Sequence, residues 1–177
     1  MRDQEGLHTK AGGWDGKQFC AYPSPQGDGS KTIGYGHELS KHEDATKCLS
    51  EQEAIELFNK DYELKKKAAA VSYNQKQGCQ KGEKLTVICK NFEDLPEYMQ
   101  HIAIDISFNV IPNRKTHLPE FPNLAKAMHD NSLEGLIEES KTYYHKNGVK
   151  VELKRRNDCR SAYINANYKN PIYIEYE

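Results

Sequence analysis

Carboxylates, a hydroxyl and an imidazole gather within the first 38 residues of the chain. Glu5 stands beside Gly6, Asp28 lies in a Gly-rich turn, and Thr32-Ile33-Gly34-Tyr35-Gly36-His37 follows, with Glu38 directly after the histidine. These are parts for hydrolysing a glycosidic bond. That reaction needs an acid to protonate the leaving oxygen, and either a carboxylate nucleophile or a carboxylate that activates water. Glu5 is the candidate acid. Its task requires a raised pKa, which burial in a cleft supplies by disfavouring the charged form. A Glu at position 5 is ordinarily a surface residue near a frayed end; the Gly6 neighbour and the hexapeptide downstream set this one apart. Asp28 is the first candidate for the second carboxylate, although an Asp-Gly pair also suits a turn for its backbone habits alone. Glu38 is the reserve, and Asp15 stands behind both. Thr32 is a strand threonine, a residue type that is ordinarily β-branched filling.

Elements that would position these groups are written in the surrounding pattern. Residues 17–37 read as a β-hairpin, with strands at 18–22 and 31–35 and a turn rich in Pro, Gly, Asp and Ser between them. Gly34 and Gly36 weaken a strand, which makes sense where another backbone or a ligand comes close. Ser50 opens a helix, with Glu53 completing a capping box. Ile55, Phe58 and Tyr62 continue that helix, and Lys65-Lys66-Lys67 near its far end reads as a solvated face or a partner for the helix dipole. Residues 73–94, rich in Gly, Lys and Gln, read as an insertion or exposed subelement.

The most apolar helix is expected at 95–111. Met99, Ile102, Ala103, Ile106 and Val110 line one side, and Ile104, Phe108 and Ile111 another, the pattern of a buried helix. Pro112 stops it. Shorter helices follow near 120–130 and 132–146, the second capped by Asn131 with Glu134 in its first turn, and a last helix covers 151–167.

The hexapeptide with its upstream Glu5-Gly6 resembles the phage-type lysozymes, the muramidases of glycoside hydrolase family 24. In that family a Glu-Gly pair closes the first helix and a hairpin ending in Thr-Ile-Gly-x-Gly-His follows. Ala103-Ile104-Asp105-Ile106-Ser107-Phe108-Asn109-Val110 is similar to the family's central-helix segment. Residues 143–148 followed by Lys154-Arg155-Arg156 are similar to its Tyr-x-x-Gly-Gly…Arg-Arg region. Order and rough spacing agree from residue 5 to about 165. The chain departs from the pattern in four places. The Glu-to-Thr interval is swollen by residues 8–16, the second Gly of the Gly-Gly pair is replaced, and residues 73–94 are extra. Ser24 also stands where the family carries its Asp, two residues after a Tyr, here Tyr22.

What the resemblance implies is a mainly α, α+β lysozyme-like fold in a single domain over 1–177. A hairpin lobe at 1–50, a linking helix at 50–72, an insertion at 73–94 and a helical lobe at 95–170 would make it up, with the substrate cleft between lobes. Thr32 would hold the attacking water together with the second carboxylate, in an inverting mechanism. His37 would be structural, paired with a carboxylate of the long helix such as Asp61. Tyr35, Phe108 and Asn109 would contact substrate, though Phe108 reads equally well as plain core. Arg155 and Arg156 would approach the active Glu or the peptide stem, or serve surface ion pairs. Trp14 reads as packing or as a sugar platform.

Composition narrows the role. Net charge is −1, so the global basic field usual in a nucleic-acid binder is missing. No apolar run approaches the roughly 20 residues needed to span a bilayer. No signal-peptide pattern occurs at the start, so export by another route, or as part of a larger protein, is expected. No metal, nucleotide or Gly-x-Ser-x-Gly motif occurs, and no cofactor is expected. Five cysteines leave at least one unpaired within the chain. Cys79 and Cys89 flank a small hairpin pattern, where a disulfide would fit an oxidising destination such as the periplasm.

The expected function is that of a peptidoglycan hydrolase, a bacteriolytic muramidase acting in the periplasm or cell wall. It would work as an endolysin or as an antibacterial effector or toxin domain, and a toxin implies an immunity protein as partner. The alternatives are a non-catalytic peptidoglycan-binding module on the same fold, and a glycosidase for another N-acetylated polymer such as chitin.

Overall fold

In the computed structural model, residues 13–24, 29–77, 91–109, 119–146 and 149–168 are described. The chain divides into two units, Met1–Leu64 and Lys65–Glu177, and the boundary falls inside a long helix. The class is α+β, mainly helical, with small antiparallel sheets.

In the first unit, β1 (Phe19–Cys20) pairs with β5 (Cys48–Leu49), while β2 (Tyr22–Pro23), β3 (Lys31–Ile33) and β4 (His37–Glu38) form a meander. The second strand expected at 31–35 therefore ends at Ile33. Gly34 and Gly36 have φ of +61° and +99°, values that suit glycine and break the strand into a tight turn back to β4. Gly34 also answers to packing: a Cβ there would lie 3.4 Å from the Cβ of Ala54 on the long helix. The hexapeptide is thus itself a hairpin, with Tyr35 at its tip.

A disulfide joins Cys20 to Cys48 across the β1–β5 pair. Cys79 and Cys89 lie outside the described residues, and Cys159 is an exposed free thiol. Phe19, Ile33, Tyr35, Leu49 and Ala54 form the buried centre of this unit. The ring of Tyr35 stands 5.1 Å from Phe19 and 6.1 Å from Phe58, and Trp14 adds a ring 4.7 Å from Phe19.

Helix α1 (Glu51–Gln77) starts as the sequence leads one to expect. The Ser50 N–H donates to the Glu53 carboxylate at 2.8 Å, and the Glu53 N–H donates to the Ser50 hydroxyl at 3.2 Å. The helix runs past the expected end at 72. Tyr73, placed in an exposed insertion by the sequence reading, is fully buried, and its ring lies 6.1 Å from that of Phe92, also buried. The two ends of the 73–94 segment thus belong to the core of the second unit.

That unit continues with a 3-10 turn (Phe92–Asp94), then α2 (Glu97–Asn109), α3 (Pro122–His129), α4 (Leu133–Glu139), β6 (Tyr143–Lys146), β7 (Val149–Glu152) and α5 (Lys154–Asn167). Residues 102–107 of α2 are all buried, as its apolar sides require; Val110, Ile111 and Pro112 lie outside the described residues. The helix cap at α4 is Ser132, whose hydroxyl accepts from the Gly135 N–H, not Asn131, which takes φ +49° in the preceding turn.

The helix expected over 132–146 stops at Glu139, and β6 pairs antiparallel with β7 in the register Tyr143↔Glu152 to Lys146↔Val149. Aromatic and β-branched residues flank Asn147-Gly148 there, and two residues of that type between strands favour a hairpin over a helix. The last helix accordingly starts at Lys154 rather than 151.

Candidate functional site

Register in the meander decides which side chains share a face. Tyr22 pairs with Thr32, and Thr32 pairs with Glu38. Directly opposed residues point to the same side, with β-carbons about 4.5–5.5 Å apart. Tyr22, Thr32 and Glu38 therefore make a row across one face. Alternation turns Ile33 and His37 to the other face, where Ile33 joins the buried centre. Thr32 is only 8% exposed and Tyr22 9%, whereas Glu38 is exposed. The row runs from an aromatic ring through a sheltered hydroxyl to a carboxylate in water. Gly13 closes on the Tyr22 end: a Cβ there would lie 3.1 Å from the Tyr22 ring.

His37 sits between two acids on the opposite side of the sheet. Its Nδ1 is 2.8 Å from the Asp61 carboxylate on α1, and its Nε2 is 3.0 Å from Glu43. Burial alone would push its pKa down, but the hydrogen bonds and charges of Asp61 and then Glu43 outweigh that, and the pKa is raised. Both partners are carboxylates, which accept, so the protonated ring is the form that can donate to both. Glu43 is held at about 2, first by the backbone and side-chain hydrogen bonds of Ser40 and then by His37. With both nitrogens spent, His37 is a tie between β4, the 40–43 turn and α1, not a base. The pairing with Asp61 agrees with the sequence reading. Glu43 was missed, although Ser40-Lys41-His42-Glu43 has the capping-box spacing that folds a Glu back onto a Ser N–H, here at 2.8 Å.

Other acids of this unit are similarly engaged. Asp15 accepts the N–H groups of Lys17 and Gln18 at 2.8 and 2.9 Å, which hold its pKa low. Asp44 serves Thr46, and Glu53 serves Ser50. Asp15 is a turn residue, as its low place among the candidates suits. Glu5 and Asp28, the first-choice acid and second carboxylate, lie outside the described residues. Tyr35, a substrate-contact candidate, has its ring in the aromatic core and is 9% exposed.

Phe108 and Asn109 belong to the second unit. The Lys65 ammonium lies 5.7 Å from the centre of the half-buried Phe108 ring. Asn109 donates to the Asp105 carbonyl at 2.7 Å and accepts from the guanidinium of Arg156. Arg155 is exposed. Deeper in this unit, Arg160 pairs with Asp105 and donates to the Ser140 carbonyl at 2.7 Å and the Thr142 hydroxyl at 2.9 Å. Asn157 completes the cluster by accepting the Thr142 N–H at 2.9 Å. This knot ties α2, α5 and the start of the β6–β7 hairpin together. A charged residue inside the most apolar helix was its signal in the sequence.

Among the described residues no three His, Cys, Asp or Glu side chains are grouped to hold a metal, and no helix is long and apolar enough to cross a membrane. No family model matches the chain, and no curated protein or solved structure matches it either. The functional reading therefore rests on the residues and their geometry.

Proposed function

We propose that the protein is a peptidoglycan hydrolase on a lysozyme-like fold, a muramidase cleaving the β-1,4 bond between N-acetylmuramic acid and N-acetylglucosamine. The observation that carries this reading is the hexapeptide hairpin: Thr32 is a sheltered hydroxyl in line with the Glu38 carboxylate, on a strand pair anchored to α1 through His37 and Asp61. A hydroxyl and a carboxylate side by side can hold one water between them. Glu5 would protonate the leaving oxygen. Thr32 would orient the water, and a second carboxylate, Asp28 or Glu38, would take its proton as the oxygen attacks the anomeric carbon. Such an arrangement inverts configuration when the two carboxyl groups stand roughly 6.5–9.5 Å apart. The chemistry asks for no cofactor.

The Cys20–Cys48 disulfide favours an oxidising site of action. This suits an exported effector or toxin domain working on the wall from the periplasm, with an immunity protein guarding the producer. Incubating the chain with purified peptidoglycan, then reducing the products with borohydride and weighing them, tests the reading. Soluble fragments ending in reduced N-acetylmuramic acid are expected. Fragments ending in reduced N-acetylglucosamine, or turnover of soluble chitin oligomers alone, would assign a different glycosidase. Tight binding without fragments would assign a non-catalytic wall-binding module.

A further inference from the structure

Resting on that reading, we infer that Glu38 is the general base, the carboxylate that takes the proton of the attacking water. Three observations lead to it. First, the β3–β4 register puts Glu38 directly opposite Thr32, the hydroxyl read as the water holder. Residues so opposed have β-carbons about 4.5–5.5 Å apart, and a water bridging a hydroxyl and a carboxylate fits that gap.

Second, Glu38 is uncommitted. Among the described residues its carboxylate makes no hydrogen bond and no ion pair, while its neighbours Glu43 and Asp61 are both taken by His37. A carboxylate already bound to an imidazolium or a backbone N–H is held in its charged form and is the poorer proton acceptor for it. Third, the sheet fixes its place. Glu38 follows His37, which ties β4 to α1 through Asp61 and to the 40–43 turn through Glu43, and the Leu39 N–H donates to the Lys31 carbonyl at 2.8 Å just beyond it. The backbone that carries Glu38 is therefore held on both sides, which is what orientation of a catalytic group demands. Ser24 at Tyr22 plus two cannot supply this carboxylate.

The step balances without a further reactant. One O–H proton of water moves to the Glu38 carboxylate as the water oxygen bonds to the anomeric carbon. The bond from that carbon to the leaving oxygen breaks, and the leaving oxygen takes the Glu5 proton. One water is consumed, and the new hemiacetal has the inverted configuration. The proton then passes from Glu38 to solvent and Glu5 is reloaded.

Glu38→Gln and Asp28→Asn, each in the full chain, separate the candidates. Release of reducing muropeptides from purified peptidoglycan is followed as a function of pH, beside sedimentation of each variant with insoluble wall. For Glu38→Gln a loss of about a hundredfold or more is expected, with wall binding and melting temperature kept because the side chain is exposed and makes no hydrogen bond or ion pair among the described residues. Asp28→Asn tests the competing carboxylate, and its loss is expected to be smaller than that of Glu38→Gln. Glu38→Ala should regain turnover in sodium azide and yield the inverted glycosyl azide, since a small anion needs no base; a merely structural residue would not be rescued. Full activity in Glu38→Gln, or the large loss in Asp28→Asn alone, would overturn the inference while leaving the muramidase reading standing. Inactivity of the wild type itself would overturn that reading, and the inference with it.

Discussion

Replacing His37 by Asn should destabilise the first unit, and by more in acid than in alkali. Asn is close in size and keeps one donor, so the change removes mainly the charge and the second bond. The tie is half-buried: side-chain exposures are 18% for His37, 18% for Asp61 and 40% for Glu43. Exposed ion pairs are worth about 0–1 kcal/mol, and hydrogen bonds to charged groups about 1.5–3 kcal/mol. The His37–Asp61 half lies between these limits and the Glu43 half at the lower one, so the loss is set at about 1–2 kcal/mol. The sign with pH follows from the raised pKa of His37. A group bound more tightly when protonated contributes fully below its unfolded value near 6.5, and that contribution fades as pH rises through the folded pKa. Glu43, held down at about 2, works in the opposite direction. Its contribution is present above about 4.5 and is lost only as pH falls toward 2. The whole tie is therefore at its strongest between about pH 4.5 and 6.5. At about 2–4 °C per kcal/mol for a chain of this size, thermal melting followed by circular dichroism should show His37→Asn about 2–8 °C below wild type at pH 5.5. The gap should narrow as pH rises through the raised His37 pKa. An equal gap on both sides of that titration would refute the ion-pair reasoning and leave His37 as a packing residue.

Two further outcomes follow from the fold. Arg160→Met strands the buried Asp105 carboxylate and should cost about 3–5 kcal/mol in urea unfolding, with much of it recovered by adding Asp105→Leu, since a buried pair removed together leaves no orphan charge. Cys20→Ser opens a loop spanning 28 residues that holds β2, β3 and β4. Chain entropy sets the loss at about 3–4 kcal/mol, and dithiothreitol should lower the melting temperature of the wild type by more than that of this variant.

How much of this was legible depends on how local each signal is. The start of α1 is written in four residues, Ser50 to Glu53, and the structure forms both of their hydrogen bonds. The buried α2 is equally plain, because six successive positions exclude water. The β6–β7 hairpin was misread as helix ends, although Asn147-Gly148 between Tyr143–Lys146 and Val149–Glu152 carries the two-residue turn signal; the run of helix formers before it drew the helix too far. The Cys20–Cys48 bond had no local signal at all. Pairing of β1 with β5 brings together residues 28 apart, whereas Cys79 and Cys89 draw attention by standing close in sequence. At the site, the Asp61 partner of His37 came from the resemblance, and the alignment of Thr32 with Glu38 needed the register. A strand shifted by one residue would have put Glu38 on the other face.

The central claim is that an acid at position 5 drives cleavage of the glycan, and the most direct measurement compares wild type with Glu5→Gln in muropeptide release from purified peptidoglycan. The account predicts fragments with reducing N-acetylmuramic acid ends from wild type, and a loss of a thousandfold or more, on the order expected when an essential general acid is removed, in a variant that still binds the wall. Equal release by the two proteins would contradict it.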